Sequence, residues 1–244
     1  MNAVGPPSDL LRSALARDGT RPFLTFYDDA TGERIELSVT TFDNWVAKTA
    51  GLLRDGLEVM AGDRVALLLP AHWQSLVLAC ACWEVGACAA LTDAGDGQLA
   101  VVGPATLDAA SRARERLALS LRPLGGPFTE PLPEGTLDYA AEVPSYPDRF
   151  AADEPPDPAA PALDDGSVVT TSGGLVGRAR QRAAQLEAGS GARLLVATDD
   201  LPTALLDALL VPFVVGGSAV LVRNEFRERR ADRLASERAR TAEP

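Results

Sequence analysis

One stretch of this sequence has the shape needed to hold a phosphate group. It runs Val168-Val169-Thr170-Thr171-Ser172-Gly173-Gly174-Leu175-Val176-Gly177. The pattern predicts a strand, a tight glycine-rich turn and a helix start, and backbone N–H groups at a helix start attract anions. Thr170, Thr171 and Ser172 supply hydroxyls, Gly173 and Gly174 let the backbone approach a ligand closely, and Arg178 is a cation a little further along. These six residues are the candidate nucleotide- or anion-binding set. Asp199 and Asp200 follow about twenty residues beyond Gly177, where a dinucleotide fold places a ribose-binding acid. The glycines read G-G-x-x-G rather than G-x-G-x-x-G, so a plain tight strand-to-helix turn accounts for the stretch better than a binding loop does.

Other chemistries find less support. A metal site would need His72, Cys80, Cys82 and Cys88 to converge, yet Cys80 and Cys82 point about 200° apart around a helix. Small thiols packed in a core explain the cysteines better, and an odd number of them within one short segment fits reduced thiols rather than disulfides. Serine or cysteine hydrolysis needs a base. The single histidine sits beside Trp73 at a helix start, the place of a cap or packing residue, and no G-x-S-x-G elbow exists. No metal ligands and no catalytic residues are therefore assigned. Lysine occurs once, at Lys48, among 23 basic residues.

Apolar residues make up 46% of the 244-residue chain and charged residues 23%, a composition that packs a core. The net charge of −11 argues against nucleic acid or an anionic membrane surface as partner. Met1 to Leu10 lacks the basic and apolar regions of a secretory signal, which makes the cytoplasm the expected location. Ser75–Leu91 and Leu205–Val222 approach membrane length, but Glu84 and Asp207 interrupt them, so both read as buried helix-then-strand units and no membrane partner is expected.

The elements that must position the candidate residues follow from periodicity and turn signals. A short helix at Leu10–Arg17 precedes a hairpin of Pro22–Asp28 and Glu33–Ser38; a helix capped by Thr40 or Thr41 then runs to about Leu57. Val65–Leu69 is a strand, His72–Val85 a helix, Cys88–Leu91 and Leu99–Val102 strands, Ala105–Arg116 a helix and Leu117–Leu121 a strand. Beyond a Pro/Ala/acidic connector come strands at Ser167–Thr171, Ala192–Thr198 and Ser218–Val222 alternating with helices at Leu175–Glu187 and Thr203–Val215. The charges from Arg223 to Arg240 read as a solvated helix with Glu225–Arg229 and Arg233–Glu237 pairs. The expected class is α/β, with mostly parallel sheets and flanking helices in two βαβ lobes. The lobes span residues 1–143 and 167–244, with the connector at 144–166.

Several of these segments, in this order, resemble the N-terminal portion of the adenylate-forming superfamily, which includes acyl-CoA synthetases and other AMP-binding ligases. Leu37-Ser38-Val39-Thr40-Thr41-Phe42 is similar to the motif opening its first long helix, and Gly62-Asp63-Arg64-Val65 through Leu69-Pro70 to its "G-D-x-V-x-x-x-L-P" strand. Cys82 to Ala87 resembles the helix end that follows, and Leu209 to Leu221 its later helix and "G-G-x-V-V-L" strand. The resemblance implies that Thr171-Ser172-Gly173 begins the family's phosphate loop, "T-S-G-T-T-G-x-P-K-G". The middle of that loop and its lysine are missing, and Lys48, inside an early helix, reads as a solvated surface residue that does not replace it. The family's adenine-binding, metal-binding and hinge motifs, and its C-terminal lobe, are not found in the sequence.

The resemblance therefore implies a short, degenerate relative that does not form adenylates alone and has a binding, regulatory or scaffolding role. Alternatives are a protein that still binds ATP, AMP or acyl-CoA, and a subunit complementing a separately encoded half-enzyme; no cofactor is assigned with certainty. Because later parts of such enzymes cover these sheets, a homo-oligomer or a protein partner is expected to cover the apolar faces here.

Overall fold

The computed structural model describes residues 5–92, 98–109 and 112–242. α1 (Pro7–Asp18) leads into the hairpin of β1 (Pro22–Asp28) and β2 (Glu33–Ser38). α2 (Val39–Gly51) follows and ends in a π-helical turn at Leu52–Gly56. Its cap is Ser38, whose Oγ accepts a hydrogen bond from Thr41 N at 3.0 Å. Next come β3 (Arg64–Leu68), α3 (Trp73–Glu84), β4 (Cys88–Ala90) and β5 (Leu99–Val102). β6 (Glu115–Ala118), β7 (Thr136–Asp138) and the short α4 (Tyr139–Glu142) lead to β8 (Pro161–Asp164) and β9 (Val169–Thr171). α5 (Ser172–Gln185) and β10 (Arg193–Ala197) precede α6 (Leu201–Thr203), which continues through a π-helical stretch at Ala204–Leu210 into α7 (Val211–Val215). The chain closes with β11 (Ser218–Arg223), α8 (Arg230–Glu237) and β12 (Arg240–Thr241).

Two mostly parallel sheets result, in the orders β12-β10-β11-β1-β2 and β7-β6-β5-β3-β4-β8-β9. Only the β1–β2 and β8–β9 pairs are antiparallel. Strand alternation gives each sheet two faces. Val65 and Leu67 of one sheet and Leu194 and Val196 of the other enter a single apolar core together with the helices. Phe23 stacks on Phe213 at 4.4 Å inside it, and Trp45 meets Trp73 edge-on at 5.3 Å.

The outer faces are covered by the chain itself. On the seven-stranded sheet, Ala66, Ala100, Val102 and Ala118 lie beneath Leu107, Phe128 and Leu132. On the five-stranded sheet, Leu195, Val220 and Val222 lie beneath Leu234 and Ala239 at the end of α8.

Four departures from the sequence reading matter. The hairpin joins the C-terminal strands, because β1 pairs with β11 in parallel from Leu24↔Ala219 to Asp28↔Arg223. The strand before the glycine pair and the strand leading to Asp199 belong to different sheets: β9 pairs with β8, and β10 with β11. No helix fills Ala105–Arg116 among the described residues, which exclude 110 and 111; a 3-10 turn at Pro104–Thr106 is fixed by Thr106 Oγ1, which donates to Leu68 O at 2.7 Å, and β6 starts at Glu115. Finally, the tail is docked rather than solvated. Arg233 is buried against Asp29, Glu225 pairs with Arg230 instead of Arg229, and Glu237 accepts from Arg193 at 2.6 Å as well as from Tyr27 and Arg34.

Candidate functional site

Thr170 and Thr171 end β9, and Ser172 is the first residue of α5. Thr171 is extended at φ −72°, ψ 162°, and its Oγ1 accepts from Gly174 N at 3.2 Å, so it is the N-cap. The next two donors are also used inside the protein: Ser172 N donates to Ala160 O at 2.9 Å and Gly173 N to Pro158 O at 2.8 Å. The amides of Ser172, Gly173 and Gly174 are therefore committed to the 158–160 strap and the cap. They do not converge on an open anion site.

The remaining members of the predicted set diverge. Thr170 faces inward with its Oγ1 buried and without a partner among the described residues, while Thr171 is exposed. Gly174 is required by close packing, since a Cβ there would lie 2.9 Å from Thr171 Oγ1 and 3.2 Å from Thr170 Cγ2. Arg178 is exposed, six residues along α5 from Ser172 and on a different side of it. Asp199 and Asp200 serve the other sheet. Asp200 caps α6 by accepting from Thr203 N at 2.9 Å, and Asp199 accepts from Asn224 N at 2.8 Å.

Ser172 alone leads to a cavity. Its side chain is buried, its hydroxyl forms no hydrogen bond to another described residue, and it lines a cleft of about 470 Å³. One wall is the turn Val59–Gly62 and another the α3–β4 junction from Trp83 to Ala87. The third is the 150–162 strap with Phe150, Pro155 and Pro156. Trp83 Nε1 donates to Ala162 O at 2.8 Å and ties two of the walls together. Arg54 stands at the rim with its charge already engaged. Its guanidinium donates to Asp55 at 2.7 Å and to Ala151 O at 2.8 Å, pairs with Asp153 at 3.2 Å, and lies 4.6 Å from the Phe150 ring centroid. Sequence reasoning placed the strap in a connector and missed the cleft. The run Glu154-Pro155-Pro156-Asp157-Pro158 was its one visible signal, since successive prolines hold a strap extended.

His72 caps α3, where its Nδ1 accepts from Gln74 N at 3.2 Å, and it packs edge-on against Phe26 at 4.6 Å. Its Nε2 lies 3.6 Å from Glu33 Oε2. Burial pushes the imidazole below its ordinary value, against the opposing pull of Glu33. Burial also raises the thiols of Cys80, Cys82 and Cys88, all of them free, which keeps them unreactive. Among the described residues no group of three or more His, Cys, Asp or Glu side chains is placed to hold a metal, and no helix is long and apolar enough to cross a membrane. Lys48 is half-buried rather than solvated. It donates to Tyr146 O at 2.7 Å and pairs with Asp148 at 2.9 Å, pinning α2 to the segment after α4.

The two sheets and their shared helices have the fold of the N-terminal half of acyl-CoA synthetases. An acyl-CoA synthetase from Brucella canis superposes with a TM-score of 0.74 at 18% identity, over 94% of this chain and 46% of that one. The anthranilate CoA ligase AuaEII, in complex with anthranoyl-AMP, gives 0.70 at 15% identity, over 91% and 45%. The N-terminal domain of FACL13 from Mycobacterium tuberculosis gives 0.72 at 15% identity, over 96% and 61%. The chain thus spans about half the length of the two full synthetases it matches. No family model matches it. A TIGR03089 family protein of Mycobacterium tuberculosis is 37% identical over 244 residues, covering 94% of both chains. The chain belongs to this TIGR03089 family.

Proposed function

We propose that this chain is a binding protein built on the N-terminal scaffold of acyl-CoA synthetases and does not itself form adenylates. One observation carries this reading: the amides of Ser172, Gly173 and Gly174, where the phosphate loop of an adenylating enzyme would start, donate to Ala160 O, Pro158 O and Thr171 Oγ1. A phosphate entering there would have to break those bonds, and each buried donor or acceptor left unpaired costs roughly 1–3 kcal/mol. Cations do not compensate. Lys48 is held by Tyr146 and Asp148, and Arg178 is on another side of α5.

The test is ATP–pyrophosphate exchange by the purified chain with a panel of aliphatic and aromatic carboxylic acids and magnesium. Exchange at background is expected; acid-dependent exchange above it overturns the reading. Thermal melting with ATP, AMP or acyl-CoA is expected to leave Tm in place, whereas a ligand present at 100 times its Kd adds about 2.7 kcal/mol.

A further inference from the structure

We propose that the cleft lined by Met60, Trp83, Phe150 and Ser172 binds a small ligand with an apolar body and a cationic amine. The inference rests on reading the chain as a binding protein and names the chemistry of what it binds. The cleft's volume of about 470 Å³ suits a small molecule; such sites run from roughly 300 to 1,000 Å³. Its lining is mostly apolar: Val59, Met60, Trp83, Val85 and the alanines and prolines of the strap. Met60 is 71% exposed, an unbranched side chain free to adapt to a guest. Within, the largely buried Ser172 lines the cleft, and no described residue engages its hydroxyl.

The rim decides the sign of the ligand's charge. Asp153, Glu154 and Asp157 are carboxylates on the strap, and Arg54 is the only cation among the lining residues. Asp55 and Asp153 already hold Arg54. Glu154 has no ion-pair or hydrogen-bond partner among the described residues, and Asp157 spends one oxygen on Ala159 N at 2.8 Å. The mouth is therefore net acidic on a chain of net charge −11. Carboxylates, nucleotides and acyl-CoA are repelled there, while an ammonium gains roughly fivefold in affinity for each carboxylate it contacts in water.

Isothermal titration at pH 7 with octylamine, octan-1-ol and octanoate tests this on the intact chain, since the three differ only in the polar head. Octylamine is expected to bind at least about tenfold tighter than octanoate, with the alcohol between them. The double variant Glu154→Gln/Asp157→Asn alters exposed rim groups and keeps the Asp157 turn acceptor as an amide. It is expected to bring octylamine down to the affinity of the alcohol, at unchanged Tm. Ala152→Trp, which fills the mouth, is expected to abolish binding of all three.

Saturable binding of none of the three overturns the proposal. So does octanoate binding as tightly as octylamine, or an amine preference that survives the double variant. Pyrophosphate exchange with amine selectivity intact would overturn the non-adenylating reading and leave the cleft assignment standing. Background exchange without amine binding would do the reverse.

Discussion

Replacing Arg233 with alanine distinguishes a docked C-terminal helix from a solvated one. Arg233 is 7% exposed and its guanidinium meets Asp29 twice, at 2.6 Å to Oδ1 and 3.3 Å to Oδ2. It also lies 4.4 Å from the centroid of the Tyr27 ring. Asp29 is likewise 7% exposed, and its remaining contacts are Phe226 N at 2.8 Å and Arg229 at 3.4 Å. Burial pushes the Asp29 carboxyl up, but Arg233, the Phe226 amide and Arg229 together outweigh it and hold the group below its ordinary value. The pair therefore stays charged, and Arg233→Ala leaves a buried carboxylate short of its main partner.

Breaking a buried pair in this way costs about 3–5 kcal/mol, against roughly 0–1 kcal/mol for an exposed one. At about 2–4 °C per kcal/mol for a chain of this size, Tm falls by roughly 6–20 °C. Urea unfolding followed by circular dichroism reads the loss as a lower midpoint at unchanged slope. Asp29→Ala/Arg233→Ala is expected to cost less than the sum of the two single changes, because neither charge is then stranded. An Arg233→Ala loss within about 0.5 kcal/mol would refute the reasoning and return α8 to the solvent.

His72, neutral in the fold because burial lowers its pKa, takes up a proton more readily when unfolded. Stability is therefore expected to be full above about pH 6.5 and to fall as pH drops through that value, and His72→Asn, which keeps an N-cap acceptor, to flatten the profile of urea midpoints between pH 5 and 8. Thr171→Ala removes the N-cap of α5 and is expected to cost about 1 kcal/mol by chemical denaturation, while Thr171→Ser stays near wild type. Thr170→Val replaces a buried hydroxyl that has no partner among the described residues; it is expected to be neutral or stabilising by up to about 1 kcal/mol in the same assay.

Parts of the fold were legible because their causes are local. β1, β2 and β5 match the sequence reading residue for residue; turn residues such as Asp29 and Gly32 set the inner ends of the β1–β2 hairpin, and β5 is a short apolar run. The helical reading of His72–Val85 agrees within a residue at each end. β7, β8 and β12 were missed. They are three, four and two residues long and are defined by pairing with β6, with β4 and β9, and with β10, respectively. Such short runs carry no periodicity of their own.

The α/β class and a strand followed by a glycine-rich helix entry near Ser172 could be read from the amino-acid order, although α5 starts at Ser172, three residues before the expected Leu175, and takes Thr171 as its cap. Where the donors of that helix start go depends on long-range folding, because the carbonyls of Pro158 and Ala160 reach them across the β8–β9 hairpin. The tail was likewise settled at long range, by an arginine and an aspartate 204 positions apart. A hydrogen-bond donor looks the same in sequence whether it faces a ligand or a neighbouring strap. Its role is fixed by the partner it finds once the chain has folded.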